Sequence, residues 1–210
     1  MDKGLLLTVL AGISVFLSGC CSTTTTVTPP PSSTPVTAQN PEQPAQPEQP
    51  AVQPVLLEEM QKIAAGTVAA GGLAVVGTDK SKSLELALDK AKINGRIELA
   101  RMLDARLELL EKTFSEETGI PYDSLLLSGF NSTAKIIKQQ IAGSLAQSLK
   151  YEATGETFTA YAIMELDPKI IAEQLAKEKE LYSRLQKTKA FATLTQEIKA
   201  FEAFKTAKAL

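Results

Sequence analysis

The sequence contains no histidine and no tryptophan among its 210 residues. Without histidine, Ser-His-Asp and Cys-His catalysis and histidine-ligated metal sites are all excluded. Aromatic residues make up only 5% of the chain. A folded core must therefore rest on leucine, isoleucine, valine and alanine, and binding of carbohydrate by ring stacking is disfavoured.

Cysteine is almost absent as well, because Cys20 and Cys21 are the only two and are adjacent. No disulfide can therefore link distant parts of the fold, and the chain beyond residue 21 has no thiolate chemistry. Cys21 is a free thiol, an intermolecular partner or a further acylation site, and the sequence favours the free thiol.

The remaining candidates for catalysis are carboxylates and serine–lysine pairs. Glu116-Glu117 and Glu108 with Glu111 could serve a glycosidase, but they lie in a charge-balanced helical pattern that is typical of a solvated surface. Ser81-Lys82, and Ser124 with a distant lysine, match no motif. We therefore predict that the protein is not an enzyme and has no catalytic, cofactor-binding or metal-binding residue.

Charges of both signs are mixed along the chain after residue 54. The formal net charge is −2, and lysine and glutamate are interspersed rather than grouped into blocks. No basic stripe or nucleic-acid-binding motif is present, so a nucleic-acid partner is not expected.

The amino-terminal residues have the pattern of an export signal. Leu5 to Leu17 is an almost wholly apolar run of about 13 residues, which is too short to span a bilayer as a helix. Leu17-Ser18-Gly19-Cys20 then resembles the lipobox of bacterial lipoproteins. The alternatives are an ordinary secretory signal with a coincidental cysteine, or a short anchor helix.

The lipobox resemblance implies cleavage between Gly19 and Cys20 and diacylglyceryl modification of Cys20. The new amino terminus would be acylated too, with a chain such as palmitate, and two or more lipid signals give stable membrane anchoring. Because the residue after Cys20 is not aspartate, the resemblance favours the outer membrane, with the domain in the periplasm.

Residues 20–54 are predicted to be a disordered tether. Nine of the eleven prolines lie between Pro29 and Pro54, and the Pro-Glu-Gln-Pro units carry too little apolar surface to fold. In polyproline II conformation, about 33 residues reach roughly 100 Å. A proline-rich ligand for a groove-binding partner and a threonine-rich glycosylation stalk are the alternatives.

The rest of the chain predicts an α+β fold, with a small antiparallel sheet packed by two helices and a long C-terminal helix. Its domain organisation is an α+β lipoprotein domain at 55–175 and a helical extension at 176–210. Residues 66–78 are mostly small or β-branched and are interrupted by glycines, which predicts one strand or two short strands. We expect Gly71-Gly72 to form a bend that approaches a helix closely, and not a phosphate-binding loop.

A helix is predicted from Ser83 to Thr118, capped by Asp79 or Ser81 and ended by Gly119. Gly95 within it allows a close crossing. Its arginines alternate with carboxylates, which is typical of a solvated face. One apolar face is formed by residues at helical spacing, namely Ile93, Ile97, Ala100, Leu103, Leu107, Leu110 and Phe114.

A second helix is predicted at 132–149, followed by strand character from Tyr151 to Leu166. Thr154-Gly155-Glu156 is the expected hairpin turn. Asp167-Pro168 then caps a long final helix towards Leu210. Its apolar stripe packs on the domain or forms a coiled coil with another chain, and the stripe consists of Leu181, Leu185, Phe191, Leu194, Ile198, Phe201 and Phe204.

This domain resembles the Lpp-twenty lipoprotein family, which includes flagellum-associated outer-membrane lipoproteins. The resemblance covers about residues 66–175. It rests on Val76-Gly77-Thr78, on Ala87 and Ala91 leading to the segment 95–100, on Gln139-Gln140, and on the strand at 158–167. Gly95 departs from the alanine usual before this arginine. The family implies an outer-membrane α+β domain without a catalytic residue.

Two functions are therefore considered. The favoured one is a membrane-anchored structural or interaction module, held to the bilayer through Cys20. Its partners are envelope proteins, including a flagellar assembly, or other copies that associate through helices. The alternative is a periplasmic binding module that holds a small ligand or a peptidoglycan fragment between helices and sheet.

Overall fold

The computed structural model describes residues 55–208. The predicted signal peptide, lipidated Cys20 and tether lie outside these residues. The described chain forms six helices and one three-stranded antiparallel sheet, so the predicted α+β class is confirmed. The elements, in chain order, are α1 (Val55–Ala69), β1 (Leu73–Ser81), α2 (Leu84–Thr118), a 3-10 turn (Leu125–Leu127), α3 (Ser128–Ala142), β2 (Ser148–Thr154), β3 (Thr157–Leu166), α4 (Pro168–Leu175), α5 (Lys179–Leu185) and α6 (Lys189–Lys208).

The strand order is β1-β3-β2, so the last strand in the chain lies at the centre of the sheet. β1 pairs with β3 from Leu73 opposite Leu166 to Ser81 opposite Phe158. β2 and β3 form the predicted hairpin, in which Gly155 has a φ of 58°. This left-handed conformation suits glycine and is usual in two-residue hairpin turns.

β3 is buried on both faces because a helix covers each one. On one face, α2 packs its small residues Ala87 and Ala91 against Ala160 and Ala162. On the other face, Met60 and neighbouring residues of α1 pack against Tyr161 and Ile163. Successive side chains of β3 point to opposite faces of the sheet, so they pack alternately against α2 and α1, and not alternately against a core and solvent.

Two glycines set the distance between α2 and the sheet. A Cβ atom added to Gly77 of β1 would lie 2.2 Å from both the Ala91 carbonyl oxygen and the Gly95 nitrogen of α2. A Cβ atom added to Gly95 would lie 2.6 Å from Cγ of Met164. The predicted close crossing at Gly95 is thus confirmed, and Gly77 is its counterpart.

The largest core cluster joins the second half of α2 to α3, α4, α5 and α6. Phe114 and Phe130 contact each other there with ring centroids 6.0 Å apart. The helices from 176 onward contribute Leu181, Leu185, Ala190 and Leu194 to this cluster. The apolar stripe of the C-terminal segment is therefore packed within the domain.

The strand prediction for 66–78 is correct only from Leu73 onward. Residues 55–69 form α1 instead, because Met60, Ala64 and Thr67 align at helical spacing and are buried. Gly71 and Gly72 make the turn to β1 and lie against α6, where Cβ atoms would meet the Glu197 backbone and the Phe201 ring. Their expected close approach to a helix is confirmed.

The predicted apolar face of α2 is right in its second half and wrong in its first. Leu103, Leu107, Leu110 and Phe114 are buried, whereas Ile93 and Ile97 are exposed and Ala100 is half-buried. The buried column runs instead through alanine and glycine, because a small-residue face lets the helix lie close to the sheet. The cap was also wrong, since Ser83 caps α2 while β1 continues to Ser81.

Two helix boundaries differ from prediction. α3 runs from Ser128 to Ala142, so Leu145 lies in the following loop and Leu149 in β2. The helix capped by Asp167 ends at Leu175, and the long C-terminal helix α6 begins only at Lys189. The breaks divide the segment into three helices, and Ile171 of α4 and Leu194 of α6 are both buried in the same core cluster.

No helix among residues 55–208 is both long enough and apolar enough to cross a bilayer.

Candidate interaction surfaces

The carboxylates considered for catalysis lie on α2, and one of them has a structural role. The Lys189 backbone amide donates a hydrogen bond of 2.7 Å to Glu117 Oε2, so this carboxylate fixes the start of α6. Burial, and then the charge of Glu108, raise the pKa of Glu111. Glu108 and Glu111 line none of the five clefts considered among residues 55–208.

The serines considered as nucleophiles act locally. Ser81 Oγ accepts a hydrogen bond from the Ser83 amide at 3.2 Å, and Ser124 Oγ accepts one from the Leu126 amide at 3.3 Å. Lys82 approaches Glu156 instead, at 3.9 Å between two exposed side chains. These hydroxyls therefore stabilise turns, and within residues 55–208 no group of three acidic or cysteine side chains could hold a metal ion.

Two arginines that the sequence assigned to a solvated face join elements of the fold. Arg96 donates from Nε and Nη2 to the Ser144 carbonyl, at 3.2 and 2.6 Å, and so fixes the loop before β2. Arg106 forms a half-buried ion pair with Glu197 of α6. Their spacing along α2 did not reveal this role, because the partners are distant in sequence.

One cleft has a volume of about 640 Å³ and lies between the segment 120–129 and α5. Some of its polar groups are engaged within the fold. Ser128 Oγ donates to the Leu125 carbonyl at 2.6 Å, and Arg184 pairs with Glu180 at 3.0 Å. This cleft lies between helices, not between helices and sheet as the binding-module hypothesis expected.

A second, more apolar groove of about 570 Å³ follows the outer edge of β1, between α1 and α2. Val68, Val75 and Val76 are among its lining residues. Farther along this edge, Asn94 Nδ2 donates to the Thr78 carbonyl at 2.8 Å and to Asp79 at 3.0 Å. A side chain of α2 therefore already covers part of the β1 edge.

The opposite edge of the sheet is β2, and its two faces differ. On the α2 face, Leu149 and Tyr151 are 43% and 52% exposed. Tyr151 contacts Phe158 edge to face, with centroids 6.2 Å apart. The outer edge of β2 pairs with no other strand of residues 55–208.

The α1 face of β2 carries one charge of each sign. Lys150 Nζ lies 2.7 Å from Glu59 Oε1 of α1, and Glu152 accepts a 3.4 Å hydrogen bond from the Tyr161 hydroxyl. Burial, followed by the nearby Glu152 charge, raises the pKa of Tyr161. The tyrosine therefore remains a neutral donor to Glu152 across the physiological pH range.

Comparison of the chain with protein-family models, curated proteins and solved structures found no match. The function proposed below therefore rests on the residues and geometry of this chain.

Sequence reasoning predicted the β2–β3 hairpin but not the exposed strand edges. The turn residues reveal which strands are neighbours along the chain, whereas the pairing of β1 with β3 depends on the whole fold. The alternation of Leu149, Lys150, Tyr151 and Glu152 is a signal that could have identified a half-exposed strand. Only Leu149 of this group falls in the predicted second helix, whereas Tyr151 and Glu152 belong to the predicted strand.

Proposed function

We propose that the protein is a lipid-anchored envelope lipoprotein whose folded domain is a structural or interaction module. The observation that carries this proposal is Leu17-Ser18-Gly19-Cys20 directly after an apolar run of secretory length. A thiol at that position is what diacylglyceryl transfer requires. The proline-rich residues up to Pro54 then separate the anchor from the domain.

The surface of the domain supports an interaction role over a catalytic one. Serines and arginines that could have formed a site are engaged in caps and in contacts between elements. The exposed features are instead two sheet edges and apolar side chains beside them, such as Val68 and Tyr151. Such surfaces suit association with another protein.

The resemblance to the Lpp-twenty family extends this proposal to the outer membrane and to an envelope or flagellar assembly. The α+β architecture that the resemblance implies is the one observed in residues 55–208. Under this proposal the domain lies on the periplasmic side, held to the bilayer through acylated Cys20.

The anchor is tested by Cys20→Ser, with Cys21→Ser as the matched control. We expect Cys20→Ser to abolish acylation and cleavage, so that the precursor accumulates and the intact mass lacks the lipid. Cys21→Ser should be processed normally. Mass spectrometry and membrane fractionation provide the measurement, and normal acylation of Cys20→Ser would refute the proposal.

The cleft beside α5 supports the alternative of a binding module, because its volume is within the range of small-molecule sites. If it binds peptidoglycan fragments, a muropeptide should raise the melting temperature of the full chain. Arg184→Ala should abolish that rise, and Lys199→Ala on the distant α6 should preserve it. No shift with the unaltered protein would reject this alternative.

A further inference from the structure

We propose that β2 is a homodimerisation edge, at which a second copy of this chain pairs antiparallel to form a continuous six-stranded sheet. The pairing places Tyr151 opposite Tyr151 of the second copy. This inference does not depend on acylation of Cys20.

The hairpin determines which backbone groups of β2 face outward. Thr154 and Thr157 flank a two-residue turn and form the closing pair, so the hydrogen-bonded pairs with β3 fall at every second residue from Thr154. Leu149, Tyr151 and Ala153 consequently direct their amide and carbonyl groups away from β3. These are the groups that a strand added at this edge would bond.

The register centred on Tyr151 pairs these outward groups with one another. Leu149 lies opposite Ala153 of the second copy, Tyr151 opposite its equivalent, and Ala153 opposite Leu149. Each such pair exchanges two hydrogen bonds, which gives about six across the interface.

Charge complementarity selects this register. Lys150 lies opposite Glu152 of the second copy, and the two-fold axis repeats the pair with the roles exchanged. Both are non-hydrogen-bonded positions, where side chains approach most closely. The adjacent registers that preserve the hydrogen bonding place Lys150 opposite Lys150 or Glu152 opposite Glu152, and like charges in these positions are destabilising.

The two faces of the pairing are consistent with this arrangement. Leu149, Tyr151 and Ala153 all point to the α2 face of the sheet, so dimerisation brings two exposed apolar rows side by side. The two-fold axis of antiparallel pairing is perpendicular to the sheet. Both α1 helices, which begin at Val55, therefore lie on the same face of the dimer.

The β1 edge is less suited than the β2 edge to the addition of a strand. By the same alternation, Val76 and Thr78 direct their backbone groups outward, and Asn94 already bonds the Thr78 carbonyl. A strand added there would have to displace this side chain, which also bonds Asp79.

The register is tested by cysteine cross-linking of the full-length chain carrying Cys21→Ser. Hydrogen-bonded residues across antiparallel strands have Cα atoms about 5.5 Å apart, which a disulfide can span. Tyr151→Cys should therefore cross-link with itself under mild oxidation. Ala153→Cys should not, because two copies of residue 153 are offset by four residues, or roughly 13 Å along the strand.

Co-expression of Leu149→Cys with Ala153→Cys should restore a cross-link, since these residues are opposite each other. The Cys21→Ser chain without an added cysteine gives the baseline from Cys20. Equal yields from Tyr151→Cys and Ala153→Cys, or no cross-link above baseline, would overturn the proposal.

A charge exchange supplies a test without cysteine. Lys150→Glu alone and Glu152→Lys alone each turn both interfacial pairs into like-charge pairs, so each should weaken dimerisation about tenfold or more. A mixture of the two variants restores both opposite-charge pairs. Sedimentation should show heterodimers in the mixture at concentrations where each variant alone is monomeric.

The mixture controls for effects within one chain. Loss of the Lys150–Glu59 contact or of the Glu152–Tyr161 contact is the same in the separate and mixed samples. Failure of the mixture to dimerise more strongly than its components would refute the charge-paired register.

Discussion

At the residue scale, glycine has opposite effects at different places in this domain. Gly77 and Gly95 lie at the contact of β1 with α2, where neighbouring backbone occupies the space that a side chain would need. Gly66 lies within α1 and has nothing within 4 Å of the position of an added Cβ atom. Substitution by alanine is therefore expected to destabilise the domain at Gly77 and to stabilise it at Gly66.

We expect Gly77→Ala to lower the free energy of unfolding by about 3 kcal/mol, because the clash is with backbone atoms that cannot move independently. Gly66→Ala is the control and should raise it by about 0.5–1 kcal/mol through helix propensity. Urea denaturation followed by circular dichroism measures both. Equal effects at the two positions would contradict the tight packing of β1 on α2.

Glu111 gives a pH-dependent prediction. Its pKa is raised in the folded state, so the folded protein holds this proton more tightly than the unfolded chain. The free energy of unfolding therefore falls as the pH rises through the folded-state pKa. Glu111→Gln should accordingly raise the melting temperature at pH 7 and change it little at pH 3.

The control for this experiment is Glu116→Gln, at an exposed position on the same helix. Its effect on the melting temperature should be small at both pH values. A stabilisation by Glu111→Gln that is the same at pH 3 and pH 7 would show that the charge is not the cause.

Residue patterns predicted the fold best where local chemistry decides the outcome. Gly119 ends α2, Gly155 turns the hairpin, and Asp167 with Pro168 begins α4, all as expected. The prediction was wrong at Ile93 and Ile97, because the hydrophobicity of a residue does not reveal how closely its helix must approach the sheet. Alanine and glycine form the buried face there, and their small size is what the sheet contact demands.

At the element scale, the C-terminal region is three helices, of which α4 and α6 are capped by side chains at their starts. Asp167 accepts a hydrogen bond of 2.9 Å from the Lys169 amide at the start of α4. Its second carboxylate oxygen pairs with Lys205 near the end of α6. One side chain thus links the two ends of the C-terminal region.

Substitutions at Asp167 can separate these two roles. Asp167→Ala should lower the free energy of unfolding by about 1 kcal/mol, mainly through loss of the cap. Asp167→Asn keeps an acceptor for the Lys169 amide and loses only the exposed ion pair. It should therefore lower the free energy of unfolding by at most a few tenths of about 1 kcal/mol. Thermal or urea denaturation distinguishes them, and equal losses would assign the stability to the ion pair instead.

Sequence patterns predicted the α4 start but not the breaks after Leu175 and Leu185. No proline or glycine marks either break, and Thr188 caps the next helix through local hydrogen bonds to residues three positions away. Thr188 Oγ1 donates to the Leu185 carbonyl at 2.6 Å and accepts from the Phe191 amide at 3.3 Å. Threonine is a common N-cap, so Thr188 is a sequence signal for the start of α6, whereas α5 starts at Glu178 without a side-chain cap.

At the scale of the whole molecule, α6 belongs to the core of the domain. Leu194 and Phe201 are buried, and Phe201 covers Gly72 at the start of β1. A deletion of residues 189–210 should therefore abolish cooperative unfolding or lower the melting temperature severely, rather than remove only an association helix. Truncation after Lys205 is the control and should preserve the fold. Retained cooperative unfolding in the longer deletion would contradict this packing.

The candidate interaction surfaces also arise at this scale. The edge position of β2 follows from the order β1-β3-β2, which requires β1 to pair across the sheet with a strand more than 75 residues later in the chain. Lys150 and Glu152 are ordinary surface charges when considered one at a time. Their significance appears only when the edge, the outward amides and a two-fold axis are taken together.

The place where the chain enters the domain has a mechanical consequence. Any force carried by residues before Val55 reaches the domain through α1. This helix rests on a small cluster of Met60, Tyr161 and Ile163, which is separate from the larger core that joins α2 to α6. Under mechanical load, α1 should therefore detach from its face of the sheet before the rest of the domain unfolds.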